Sequence, residues 1–261
     1  MIWKFLNTGF QSGSFNMQVD EHLARNFEFN VSPPILRVYG WNPSTISLGH
    51  NQNIEDFDSD KIARAGFEIV RRPTGGKAIF HAHELTYSIV MELGDRGPRA
   101  VYDDINRGLL EGLEILGIGA QLAAQDEEFR KHYQSRTSIP CFSSTAKNEI
   151  QFNGRKLIGS AQRRFGKVIL QHGSFLLGPQ HRRLVEFLSP QAEGTRKLLE
   201  DSFLNKTTEA ETILGRTITF DEAVSAVRKG FEEKFNIVFE KFRLENMPDE
   251  LTDVLTTCTG A

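Results

Sequence analysis

The chain has 261 residues, 39% hydrophobic and 25% charged, with a net charge of −3. Such a composition belongs to a globular protein with ample core material, and its balance excludes broad nucleic-acid binding, which needs a basic surface to neutralise phosphates. Two distant cysteines make no disulfide framework, no run reaches the ~20 apolar residues of a membrane span, and the start Met1-Ile2-Trp3-Lys4-Phe5-Leu6 lacks a signal-peptide core, so the cytoplasm is the expected compartment.

The spacing of Phe15, Val19, Leu23 and Phe27 predicts a helix over residues 14–28, begun near Gly13-Ser14 and ended by Pro33-Pro34. Ile35 to Trp41 and Thr45 to Leu48 read as strands around an Asn42-Pro43-Ser44 turn, and Asp58 to Ala65 as a short helix closed by Gly66. Glu68 to Arg72 is strand-like and runs into Pro73-Thr74-Gly75-Gly76-Lys77. Two adjacent glycines let backbone approach a ligand closely, although a glycine hairpin turn explains them equally well. The stretch is not a phosphate-binding P-loop, because Arg71 and Ala78 stand at its key places. His81 and His83 have no third ligand spaced nearby, so no metal is expected. Leu85 to Met91 reads as a buried strand, and Tyr102, Ile105, Leu109, Leu113 and Leu116 as the core stripe of a helix closed by Gly117.

Gln125 to Ser138 is polar and poorly periodic, a loop leading to Pro140-Cys141-Phe142. Cys141 is either an accessible nucleophile or an inert buried thiol. Fifteen residues on lies Lys156. It follows Asn153-Gly154, a strong signal for a hairpin turn of positive φ. Alternation places Lys156, Ile158, Ser160 and Gln162 on one face of the outgoing strand, with Leu157, Gly159 and Ala161 on the other. The ordinary reading of Lys156 alone is a solvated hairpin lysine; a lysine beside a thiol would favour the thiolate. Val168 to Leu177 returns as a strand, and Gly159 and Gly173 within strands suggest close approach of backbone or ligand. Beyond about residue 180 the pattern is helical: Arg182 to Leu188, Thr195 to Phe203, and a helix to about Phe235 opened by a Thr219/Glu222 capping box. No internal repeat or low-complexity linker divides residues 1–261, which read as one α+β domain with a helical C-terminal portion.

Three stretches in order carry a resemblance: Arg71 to His81 followed by Glu84 to Ser88, then Gly159 to Arg163, then Leu170 to Ser174. They resemble the lipoate–protein ligase and octanoyltransferase superfamily, which shares its catalytic fold with biotin protein ligases. With Pro140-Cys141-Phe142 and Lys156 included, the chain looks most like the LipM-type octanoyltransferases. The resemblance implies mixed β-sheets flanked by helices, with an acyl tunnel beneath the Gly75-Gly76 loop. It implies transfer of octanoyl from acyl carrier protein to a lysine of a lipoyl domain, such as the glycine-cleavage H protein. It makes Cys141 the acyl-thioester nucleophile and Lys156 the group that lowers its pKa. Arg72, Thr74, Gly75, Gly76, Lys77, His81, Gly159, Ser160, Ala161, Gln162, His172 and Gly173 are implied to bind substrate. Neither ATP nor metal is expected, since a thioester is already activated, and a monomer is the default. Lys77 stands where the ligase branch has a third glycine, which favours transfer over ATP-dependent ligation. The ligase, an amidotransferase between lipoyl domains, and a non-catalytic binding module remain the alternatives. Arg71, Arg72, Arg155, Arg163, Arg164 and Lys167 are candidates to meet an acidic carrier.

Overall fold

The computed structural model describes residues 1–123, 149–190 and 195–242. Cys141, the polar stretch before it and Cys258 lie outside the described residues. The chain runs β1 (Ile2–Gln11), α1 (Gly13–Arg25), β2 (Ile35–Trp41), β3 (Thr45–Leu48), α2 (Ser59–Arg64), β4 (Glu68–Arg71), β5 (Ile79–His81), β6 (Glu84–Glu92) and α3 (Pro98–Ile115). It continues through β7 (Gln121–Leu122), β8 (Ile150–Phe152), β9 (Arg155–Phe165), β10 (Val168–Leu176), α4 (Arg196–Lys206), α5 (Ala210–Leu214), α6 (Phe220–Phe235) and β11 (Val238–Lys241). Short 3-10 turns cover Ile54–Asp56 and Pro179–Phe187.

Eight strands form one sheet in the order β11-β1-β2-β6-β10-β9-β8-β7, and β4-β3-β5 form a second. The β1–β11 and β1–β2 pairs are parallel, while β2–β6, β6–β10 and β9–β10 are antiparallel. One face of the large sheet is apolar: Leu36, Val38, Leu85, Ile89 and Phe175 pack against Ile105 and Leu109 of α3 and Phe231 of α6. The opposite face carries α1, whose Phe15, Val19 and Leu23 meet Ile35, Val90 and Leu170. The small sheet packs over that same face next to α1, joined to it through Leu176 and the Pro179–Phe187 turn.

Local signals explain most boundaries. α1 begins at Gly13, where Gly13-Ser14 places it, with Ser12 capping it by accepting from Phe15 N–H, but it ends at Arg25 with Asn26 as its C-cap, three residues short of the expected 28. Asp58 caps α2, and the Thr219/Glu222 capping box opens α6. Asn153 and Gly154 have φ of 49° and 74°, the turn expected between β8 and β9. The α3 helix begins four residues before Tyr102, because Pro98 is compatible with a first helical turn.

The C-terminal portion is not wholly helical. β11 returns to the large sheet and pairs with β1, whereas helical support alone is expected beyond residue 180. The Arg182–Leu188 helix is part of a 3-10 segment. Pro73–Lys77 is not a hairpin turn either, since β4 and β5 flank β3 and do not pair with each other.

Candidate active site

An apolar cavity, partly open to solvent, lies between the α1-bearing face of the large sheet and the small sheet. Its floor follows one ladder row. Gly159 pairs with Ser174, Ser174 with Thr86, and Thr86 with Tyr39, and all four line the cavity. The cavity therefore crosses four strands at right angles, from β9 to β2. Its roof is Ser47 of β3, Ile79 and His81 of β5, and Arg72; Met17 and Trp41 close the β2 end.

The polar side chains around this cavity bond to one another and not into it. Nδ1 of His81 lies 2.8 Å from Glu84 Oε1, Nε2 lies 2.7 Å from Ser47 Oγ, and the ring stacks on Trp41 at 4.0 Å. Trp41 Nε1 donates to Thr86 Oγ1 at 2.7 Å, and Thr86 donates to Glu84 at 2.5 Å. Burial raises the Glu84 carboxyl, but His81, Thr86 and Ser174 outweigh it and leave the group below its ordinary range. Ser47 Oγ also accepts from Arg72 and is fully buried, so this hydroxyl–imidazole–carboxylate line holds the ring rather than presenting a nucleophile.

A second line runs from Thr74 to Asp20. His172 Nε2 is 2.6 Å from Thr74 Oγ1, and Nδ1 is 3.2 Å from Asp20 Oδ2. Asp20 also accepts from Arg37 at 2.6 Å, Ser88 at 2.7 Å and Tyr39 at 2.8 Å. Burial raises its pKa, yet Arg37 and then His172 bring it down to about 2. Burial lowers the His172 pKa against the pull of Asp20. The neutral ring then donates from Nδ1 and accepts the Thr74 hydroxyl proton at Nε2. With every dipole turned sideways, the cavity offers ring faces, methyl groups and a thioether. Such a surface suits an alkyl chain.

Lys156 departs most from the expected geometry. It is 1% exposed, not solvated, and its Nζ lies 2.6 Å from Glu149 Oε1, also buried. A bulge explains why. Ile158 pairs with Ile150, but Lys156 pairs with the adjacent Gln151, so Leu157 is an extra residue on β9. Neighbours on β8 point to opposite faces, so the bulge separates Lys156 from Ile158. Ile158, Ser160 and Gln162 point to the helix-covered face; Lys156 joins Gly159 and Ala161 on the cavity face.

Of the residues singled out in the sequence, Arg72, His81, Gly159, Ser160, Ala161, His172 and Gly173 line the cavity. Thr74, Gly75, Gly76, Lys77 and Gln162 are not among its lining residues. Arg72 draws the loop inward by donating to the carbonyls of Gly75 and Lys77, and Gly76, at φ 97°, packs its carbonyl against Gly49. Lys77 is buried. The Ser160 hydroxyl turns to Tyr87 on the other face, and Gln162 bonds Gln171 there. A Cβ on Gly173 would lie 2.8 Å from the Tyr87 ring, so a protein side chain occupies that approach. Arg72 is buried, Arg71 serves the carbonyls of Gly49, His50 and Gln52, and Arg163 that of Pro73, so these cations are built into the loops. Met17, Asp20, Tyr39, Trp41, Ser47, Glu84 and Glu149 were not singled out. Arg37, a charge inside the apolar run Ile35–Trp41, is the sequence signal for a buried partner such as Asp20.

Among the described residues, no helix is long and apolar enough to cross a membrane and no group of three or more His, Cys, Asp or Glu is placed to hold a metal ion. Residues 12–232 match the lipoyl protein ligase A/B catalytic domain family. The chain is 38% identical to octanoyltransferase LipM of Geobacillus kaustophilus (strain HTA426), over 93% of this chain and 90% of that protein. It is 36% identical to octanoyltransferase LipM of Bacillus subtilis (strain 168), over 93% and 89%. Among solved structures, a bi-partite lipoate protein ligase from Thermoplasma acidophilum aligns with a TM-score of 0.79 at 21% identity, covering 98% of this chain and 92% of that one. Lipoate-protein ligase A bound with ATP aligns at 0.76 and 21%, covering 98% and 95%. With the α+β architecture these matches share, the chain belongs to the lipoyl protein ligase A/B catalytic domain family and, within it, to the LipM octanoyltransferases.

Proposed function

We propose that this protein transfers an octanoyl group from the thioester of an acyl carrier protein to a lysine of a lipoyl domain, through an acyl-Cys141 intermediate, in lipoate cofactor assembly. The bulge that turns Lys156 to the same face of β9 as Gly159, which lines the cavity, is the observation behind this reading. It puts a buried cation on the strand that forms one end of an apolar cavity. The Cys141 thiolate attacks the thioester carbonyl, with the Lys156 ammonium offsetting its charge. The carrier thiolate leaves and takes up a proton. The neutral amine of the acceptor lysine then attacks the acyl-Cys141 carbonyl; the amide forms, the amine proton is lost and the Cys141 sulfur leaves. A thioester supplies its own activation, so neither ATP nor a metal ion enters these steps. A lipoyl-domain acceptor is supported by the structural relative from T. acidophilum, described with its E2 lipoyl domain.

Intact-mass spectrometry tests this directly. Protein mixed with octanoyl-carrier protein without ATP is expected to gain one hydroxylamine-sensitive octanoyl group, which passes to an added apo lipoyl domain. Cys141→Ala is expected to abolish both steps. Acceptor modification only with free octanoate and ATP would replace the transferase with a ligase.

A further inference from the structure

We propose that Met17 sets the upper length of the acyl chain. The inference rests on the cavity being the acyl site. The cavity has direction: one end is the β9 strand, where Gly159 and Ala161 lie on the face that also carries Lys156, and the other is β2 with Tyr39 and Trp41. The reacting carbonyl belongs at the lysine end, so the methyl terminus points to β2. Three strand spacings of ~4.8 Å put about 14 Å between the two ends. An extended octanoyl chain advances roughly 1.25 Å per carbon–carbon bond, about 9 Å over seven bonds. The remainder is occupied by side chains at the β2 end.

Three residues stand there, and two are pinned. The Tyr39 hydroxyl donates to Asp20 and its ring lies under the Arg37 guanidinium at 3.9 Å. Trp41 donates to Thr86 and stacks on His81. Neither moves without breaking a buried network. Met17, from α1, packs on both with a flexible thioether that has no polar anchor. Its three outer heavy atoms span roughly the advance of two methylenes. Truncation therefore opens length at that end and leaves the Asp20 and Glu84 networks intact.

Chain-length profiles of Met17→Ala, Met17→Leu and Met17→Phe would be measured with C6, C8, C10 and C12 carrier thioesters. In parallel, the melting shift caused by free C6 to C12 fatty acids reads binding without turnover. Met17→Ala is expected to raise the C10-to-C8 ratio of kcat/KM about tenfold, with melting shifts moving the same way. Met17→Phe should favour C6 over C8, and Met17→Leu should keep the wild-type profile. If wild type transfers and binds C8 while the Ala and Phe variants keep its profile, Met17 is not the stop. If wild type transfers octanoyl but no fatty acid shifts its melting and no variant changes the profile, the chain lies elsewhere. If wild type does neither, the acyl reading falls as well.

Discussion

At the residue scale, the Lys156–Glu149 pair is the costly feature. Two charges are removed from water, a cost that their mutual attraction and hydrogen bonds have to offset. Lys156→Met takes the cation at 2.6 Å away from a buried carboxylate and is expected to lower stability by ~3–5 kcal/mol, whereas Lys156→Met with Glu149→Leu recovers most of that loss. Chemical denaturation of the three proteins checks it. The pH dependence of Cys141 alkylation adds a functional readout. In the double variant the thiol should titrate near the ordinary value of about 8.5, and in the wild type well below it. Equal profiles would remove Lys156 from the mechanism. The sequence shows that a lysine follows an Asn-Gly turn, and that turn is where it is expected. The side chain's destination is not legible there, because the bulge at Leu157 depends on how β8 and β9 pair. Simple alternation sends Lys156 to the wrong face.

At the element scale, long periodic runs were readable and contacts between elements were not. The stripe Ile105, Leu109 and Leu113 announces α3, and Leu85 to Met91 announces β6, because each buries a continuous face. Nothing local announces how closely α3 and α6 approach. A Cβ on Gly230 would lie 2.2 Å from Gly112 N and 2.8 Å from Gly108 O. The two helices thus meet backbone to backbone, and side chains on α3 cannot yield. Gly230→Ala is expected to cost about 3 kcal/mol, roughly 10 °C of melting temperature, although alanine is the better helix former. An unchanged melting temperature would show that the crossing has slack. The site follows the same rule. The double-glycine loop and the His172-Gly173 strand are visible in the sequence, while Met17 reaches the cavity, and Asp20 and Glu84 reach the His172 and His81 rings that line it, only through the packing of α1 and β6.

At the scale of the whole molecule, pH sensitivity follows from buried groups of opposite type. Burial, then Arg182, pushes His181 down to about 3, and its Nε2 donates to Thr207. Between pH 6.5 and about 3 the unfolded chain binds this proton and the folded one does not. Stability therefore falls as pH falls through that window, by up to about 1.4 kcal/mol per pH unit. Asp20 acts lower: its contribution is complete above its ordinary 3.8 and is lost as pH drops toward 2. Melting curves from pH 7 to 4 should show the first slope, and His181→Gln should flatten it; an equal slope in the variant would assign it to other groups.

The pairing of β1 with β11 has a consequence for synthesis. Trp3 on β1 is covered by Phe231, Phe235 and Phe239, which are translated more than 220 residues after it. While a ribosome is still making α6, the first strand has no outer neighbour and its tryptophan has no cover. The emerging chain must keep a sticky edge unsatisfied for most of its translation. Nascent chains arrested before Phe220 should accordingly bind a chaperone or aggregate, and those extended past Lys241 should acquire protease resistance in one step.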